Sequence, residues 1–234
     1  METIHWSGYE WIRQERWGQI HEKKTWAWYD PSAVKIDKDG YLHLKTKRNP
    51  KYFENLKVIS TTGIGLVSCV EKFGYGIFEI EAKLPQGKNL WPAFWMWSWD
   101  SWPPEIDVFE AYSNENGSYF NRNLDILWGN FWSCSSNVHL GKTPNNYSLG
   151  AKRHWMGWKD PSKRFIKYKV EWTEDKIEIY YDGLSVRKIE DKNILSQFNG
   201  KKMNVIINNS ISKPYPKSSE SDFIVKSFNY TQIK

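Results

Sequence analysis

The sequence predicts an all-β fold, a sandwich of two antiparallel sheets, on three observations. Short segments rich in β-branched and aromatic residues recur along the chain. Turn residues separate them, and no long stretch keeps apolar residues at helical spacing. A chain of 234 residues is also long enough to bury one sizeable core, so a single domain spanning 1–234 is expected.

Taken in order, Asp39-Gly40 marks a turn that opens a strand over Tyr41–Thr46. Gly76–Leu84 forms the next clear strand and stops before Gly87, and Trp91–Trp99 forms another that stops before Pro103-Pro104. The stretch Lys142–Lys163 holds Gly, Pro, Asn and aromatics with little alternation, and reads as a long surface loop of the kind that carries binding residues. Phe165–Trp172 and Lys176–Tyr181 are strands, and Asp182-Gly183 turns the chain into Leu184–Lys188, which completes a meander. Asn193–Phe198 is the one helix candidate. Lys202–Asn208 and Phe223–Ile233 are late strands that pair back into the sheets, with a polar, Pro-containing loop at Lys213–Ser221 between them. No internal repeat or low-complexity linker interrupts the pattern.

Composition narrows the function. Aromatic residues make up 17% of the chain and Trp alone numbers 15, several times what a core of this size needs. An indole offers a flat apolar face and one N–H, which suits the flat C–H face of a pyranose. The formal charge of +6 comes from scattered Lys and Arg rather than a basic tail, so nucleic acid is not the expected partner. An acidic polysaccharide is compatible with it. Cys69 and Cys134 are too few for a metal knuckle or a disulfide framework and are expected as free thiols. No apolar run reaches the roughly 20 residues of a membrane span, and Met1–Tyr9 lacks a signal-peptide core. The expectation is a secreted or periplasmic protein whose leader is absent from this chain.

The densest chemistry lies in Glu105-Ile106-Asp107-Val108-Phe109-Glu110, three carboxylates inside an otherwise apolar strand. In a regular strand Glu105 and Asp107 share a face and Glu110 points the opposite way. One β-bulge between Asp107 and Glu110 would bring all three to one surface. Two carboxyl groups roughly 5 to 5.5 Å apart are what a retaining glycosidase needs, one to attack the anomeric carbon and one to protonate the leaving oxygen. Asp107 between them would raise its neighbours' proton affinity by like-charge repulsion and orient the nucleophile. The aromatic run Trp91–Trp102 leads straight into these acids. An alternative for any three-acid run is a solvated strand face with Lys or Arg partners.

These residues carry a family resemblance. Tyr75-Gly76-Ile77-Phe78-Glu79, Leu90-Trp91-Pro92-Ala93-Phe94-Trp95 and the E-I-D-V-F-E strand resemble glycoside hydrolase family 16, and the similarity continues through Asn137-Val138-His139, Glu171-Trp172-Thr173, Tyr181-Asp182-Gly183 and Asn204–Asn208. The resemblance implies a jelly-roll sandwich of two curved antiparallel sheets (concanavalin A-like), a substrate cleft across the concave face, retention of configuration and no catalytic metal or cofactor. It implies Glu105 as nucleophile, Asp107 as assisting acid and Glu110 as acid/base, with His139 touching sugar or the acid/base. Trp97 and Trp102, just before Glu105, are the first stacking candidates; Trp128, Trp132 and Trp158, expected in loops, are further ones, while Trp91 and Trp95 read as core. Ile77 and Glu81 stand where many members carry Arg, and the approach Trp102-Pro103-Pro104-Glu105 is shorter than in laminarinase-like members. Both departures bear on subsite chemistry. Lys226 stands where some members place a calcium-binding Asp, so no calcium is expected there.

The sequence thus points to an endo-acting retaining β-glycosidase on a polysaccharide or oligosaccharide, as a monomer, with β-1,3-glucan of the laminarin type favoured. An endo-β-galactanase on agar, porphyran, carrageenan or mucin-type glycans and a transglycosylase use the same acids. The rival of another class is a non-catalytic, lectin-like carbohydrate-binding protein on the same sandwich. No Gly-rich phosphate loop, H-E-x-x-H or G-x-S-x-G elbow supports other enzyme classes.

Overall fold

A computed structural model describes residues 1–114, 116–121, 131–157, 160–214 and 220–233. Among the described residues the strands are β1 (Thr3–Trp6), β2 (Tyr9–Ile12), β3 (Ala27–Tyr29), β4 (Val34–Ile36), β5 (Leu42–Phe53), β6 (Val58–Ile64), β7 (Leu66–Cys69), β8 (Gly76–Lys83), β9 (Leu90–Ser98) and β10 (Ser101–Glu110). They continue with β11 (Phe120–Asn121), β12 (Phe131–Lys142), β13 (Asn145–Ser148), β14 (Lys152–Trp155), β15 (Ile166–Trp172), β16 (Ile177–Tyr181), β17 (Leu184–Ile189), β18 (Asn204–Ile211) and β19 (Ser221–Gln232). The helix expected near Asn193 is one turn, α1 (Lys192–Leu195), continued as a 3₁₀ turn over Ser196–Phe198 and capped by the Asp191 carboxylate.

Two sheets stack face to face, as expected for a jelly-roll sandwich. One runs in the order β1-β2-β7-β18-β9-β10-β12-β11, with β13 and β14 also paired to β12; the other runs β17-β16-β15-β8-β19-β5-β6-β3, with β4 on β5. Alternation explains the layering. Along β8, Phe78, Ile80 and Ala82 point into the interior while Ile77, Glu79 and Glu81 face out. Between the sheets lies one continuous core that includes Trp11, Phe78, Phe94, Phe109, Tyr168, Trp172 and Phe228. Trp172 is edge-on to both Tyr75 and Phe198, and Phe109 meets Tyr168 at a 4.2 Å ring separation. The β16–β17 hairpin closes through Asp182 and Gly183 at φ 49° and 82°, the left-handed pair that an Asp-Gly turn supplies.

Two expectations change and one holds. The stretch expected as a loop, Lys142–Lys163, contains β13 and β14, which pair with the two halves of β12; edge pairing to a long strand supplied the order that weak alternation did not announce. Ile77 and Glu81 lie on the outer face of the second sheet, where Glu81 pairs with Lys226 at 3.0 Å. They are absent from the cleft, so the departures from Arg at these positions do not alter it. Cys69 and Cys134 are buried free thiols, and burial pushes both upward, that of Cys134 to about 12.

Candidate active site

The cleft crosses the outer face of the first sheet. Its floor is set by register: Trp97, Trp95 and Ala93 on β9 lie opposite Glu105, Asp107 and Glu110 on β10, and His139, Asn137 and Ser135 on β12 lie opposite the same three acids. Directly opposed residues share a face, so the acids, the indoles and His139 converge. They line a cavity of about 740 Å³, a size ordinary for small-molecule sites.

A bulge makes this convergence possible. Between Asp107 and Glu110 the chain advances three residues while β12 advances two, and between Asp107 and Phe109 it advances two while β9 advances one. Val108 and Phe109 therefore both point inward, each fully buried, and Glu110 returns to the cleft side. The Tyr181 hydroxyl, reaching across from the second sheet, donates to the Val108 carbonyl at 2.9 Å. That bond braces the bulge from the core.

Each glutamate has its own donors. Trp102 Nε1–H donates to Glu105 Oε2 at 2.6 Å. Trp91 Nε1–H and the Tyr112 hydroxyl both donate to Glu110 Oε1 at 3.0 Å. Asp107, only 3% exposed, has His139 Nε2 at 3.3 Å from Oδ2, while the same nitrogen lies 3.8 Å from Glu105 Oε1. Burial pushes the Glu105 carboxyl well above the usual carboxylate range, with repulsion from Asp107 adding to it. Asp107 is pushed up by burial and then by repulsion from Glu110, so the Glu105–Asp107 pair holds a proton that isolated carboxyls would release. Burial and the Glu110 charge likewise keep the Tyr112 phenol protonated. Glu105, Asp107 and His139 bring one potential ligand atom each within 4.8 Å of one another. A cation held there would occupy the lone pairs of Glu105.

The expected residues fall into distinct groups. Glu105, Asp107, Glu110, Trp102 and His139 come together in the cleft. His139 stands beside Glu105 and Asp107 rather than beside Glu110, whose neighbours are Trp91 and Tyr112. Trp97 lines the floor but is 3% exposed, covered by Trp17 at 5.7 Å and by the Arg16 guanidinium at 4.9 Å, which corrects its reading as an open stacking platform. Trp132 belongs to β12 instead of a loop and packs against the core between the sheets. Trp128 and Trp158 lie outside the described residues.

Trp91 and Trp95, read as core, are cleft residues: Trp91 holds Glu110, and Trp95 Nε1–H donates to Asn208 Oδ1 at 2.8 Å. Even spacing, with 91, 95 and 97 on the same side of β9 as the residues opposite the acids, was the signal available for both. The segment Arg16–Tyr29, which carried no motif, forms one wall through Arg16, Trp17, His21, Lys23, Lys24 and Tyr29. It is anchored by Glu15, whose fully buried carboxyl accepts long bonds of 3.4 Å from Ser68 Oγ and from the Arg16 N–H.

Comparison with known proteins fits this geometry. A family model described as glycosyl hydrolases family 16 matches residues 21–221. The chain is 28% identical over 190 residues to glucan endo-1,3-beta-glucosidase A1 of Niallia circulans, covering 74% of this chain and 26% of that protein. It is 33% identical over 121 residues to a beta-1,3-glucan-binding protein of Penaeus monodon, covering 48% of this chain and 30% of that one. The chain thus spans between a quarter and a third of the length of these two curated relatives. Among solved structures, the laminarinase catalytic domain of Thermotoga maritima superposes with a TM-score of 0.70 at 19% identity, over 90% of this chain and 84% of that one. At that identity the likeness speaks for the fold.

Proposed function

The chain belongs to glycosyl hydrolase family 16, and from that premise we propose that it is an endo-acting, retaining β-glycanase whose preferred polymer is β-1,3-glucan. The observation that carries this reading is the bulge that turns Glu105 and Glu110 to one cleft face while giving each separate aromatic donors. Two equivalent carboxylates on a strand would titrate alike; two carboxyls in different hydrogen-bond environments can take different roles.

In the first step the Glu105 carboxylate attacks the anomeric carbon and Glu110 gives its proton to the departing glycosidic oxygen. The indole N–H of Trp102 favours the anionic form of Glu105, and Asp107, deeper in the cleft, shares with it the one proton that the buried pair retains. Asp107 then steadies the carboxylate as it leaves and re-enters the negative state. In the second step Glu110, now a base, draws a proton from water, which attacks the glycosyl-enzyme ester and frees Glu105. The exposed Trp102 face and the partly exposed Trp95 offer the apolar surfaces on which pyranose rings rest. We place this activity outside the cytoplasm, where such polymers lie.

Reducing-end release from laminarin, mixed-linkage glucan, agarose, porphyran, carrageenan and mucin glycans tests the proposal. Wild type should cleave laminarin best, with the β-anomer released first in a proton NMR time course, and Glu105→Gln should abolish turnover while retaining affinity. Release of the α-anomer refutes retention. Cleavage of a galactan alone moves the substrate, transfer to an added sugar instead of water makes the protein a transglycosylase, and undiminished binding with no cleavage of any polymer makes it a lectin.

A further inference from the structure

The wall of the cleft facing the acids is cationic, and among the described residues its charges form no ion pair. Lys24 Nζ sits 4.1 Å over the Trp91 ring and the Arg16 guanidinium 4.9 Å over Trp97, with Lys23 lining the same wall. Among the described residues none of these three side chains has a carboxylate within ion-pair distance, whereas some cations elsewhere on the surface find one: Arg13 with Glu2 at 2.6 Å, Lys72 with Asp100 at 2.6 Å, Lys169 with Glu171 at 2.7 Å and Lys226 with Glu81 at 3.0 Å. Three carboxylates lie across the cleft, yet neither Arg16 nor Lys24 closes on them. Contact with the indole faces holds each charge over the aromatic shelf, so a sugar ring resting on Trp95 beside them has its substituents directed at an ammonium and a guanidinium. Neutral glucan would leave both charges to water. Guanidinium in particular suits a flat or tetrahedral oxyanion.

Resting on the glycanase reading above, we propose that the substrate carries an acidic substituent, a carboxylate or a sulfate ester, which the Arg16–Lys24 wall binds while the same sugar chain rests on the indoles. The wall supplies selectivity among β-glycans that the acids and indoles alone do not. Lys24 lies above the indole that holds Glu110, so the substituent is bound close to the scissile bond and contributes to kcat/KM for that polymer.

Laminarin, the same laminarin partially oxidised to glucuronate at C6, and a partially sulfated laminarin of matched length are compared as substrates of the wild type and of the Arg16→Gln/Lys24→Gln double variant. Both side chains are exposed, so the variant keeps the fold, and the ratio of acidic to neutral kcat/KM is read within each protein. The wild-type ratio should be about tenfold, the equivalent of 1.4 kcal/mol, should fall with added salt, and should approach unity in the double variant. The derivative with the higher ratio identifies carboxylate or sulfate as the group bound. A wild-type ratio at or below unity for both derivatives, or a tenfold ratio that survives the double variant, overturns the proposal. Retardation of the Glu105→Gln protein in gels containing each polymer separates this reading from the catalytic one: preferential retardation by an acidic polymer with no cleavage of any sinks the hydrolase and leaves the cationic wall standing.

Discussion

Glu15 offers the sharpest test of how this structure is held together. Its carboxyl is fully buried under the segment that carries Arg16 and Trp17, and burial pushes it from an ordinary value of 4.5 to about 8, partly offset by the Arg16 N–H and the Ser68 hydroxyl and reinforced by the Glu105 charge. The folded protein therefore keeps a proton that the unfolded chain has released. Stability from this group is fully present below pH 4.5 and is lost as pH rises through 8, at about 1.4 kcal/mol per pH unit. Between pH 5 and pH 8 the loss comes to roughly 4 kcal/mol, an upper bound because the segment can open locally before the whole domain unfolds. Glu15→Gln keeps the shape and removes the titration. Urea denaturation followed by Trp fluorescence at pH 5, 6, 7 and 8 should show the wild type losing stability steeply relative to the variant, which becomes the more stable protein at pH 8. Both proteins share the Glu105–Asp107 titration, so the difference isolates Glu15. Curves that stay parallel within about 0.5 kcal/mol across that range, the ordinary scatter of additive effects, would refute a neutral carboxyl at this position.

Other outcomes follow from the same contacts. Asp107→Asn removes the repulsion that lifts Glu105, so the acid limb of the kcat/KM profile should move to lower pH even as kcat falls; an unmoved or raised limb contradicts the coupling. Trp102→Phe keeps a ring but deletes the bond to Glu105, and a lost bond to a charged group of about 1.5 to 3 kcal/mol predicts a kcat/KM drop of tenfold or more on the substrate identified. Tyr181→Phe leaves the Val108 carbonyl without its cross-sheet donor; urea midpoints should report a cost of about 1 to 2 kcal/mol, together with lower kcat because the bulge that aims Glu110 is less well fixed. On the second sheet His43 lies between Asp222 at 2.8 Å and Asp37 at 3.1 Å. Burial alone would depress the imidazole, but the two carboxylates outweigh it and raise it, so its contribution is present below about pH 6.5 and lost as pH rises through the raised value. His43→Gln should lower the thermal midpoint at pH 5.5 more than at pH 8.5, and equal losses would show the ring acting by packing alone.

Much of this was legible in the residues. The β character follows from turn spacing, and the bulge follows from arithmetic, because three acids inside an apolar strand share a face only if one residue is inserted; the structure puts it between Asp107 and Glu110. The pairing of β13 and β14 escaped notice because an edge strand is stabilised by the neighbour it meets, here β12, more than by its own alternation. Trp91 and Trp97 were exchanged for a related reason. Both sit on the cleft side of β9, and which of them opens to solvent depends on a segment some 80 residues earlier folding over Trp97.

The sequence by itself determined the sandwich and the identity of its three acids, because strand periodicity and local spacing act within a few residues and need no partner to be read. Only the tertiary structure decided which donors differentiate Glu105 from Glu110, which indoles face the cleft, and that Arg16 and Lys24 stand over two of them with no ion pair among the described residues. Those features are juxtapositions of segments far apart in the chain, and hydrogen bonding, burial and unneutralised charge are properties of distance in space rather than of position in sequence.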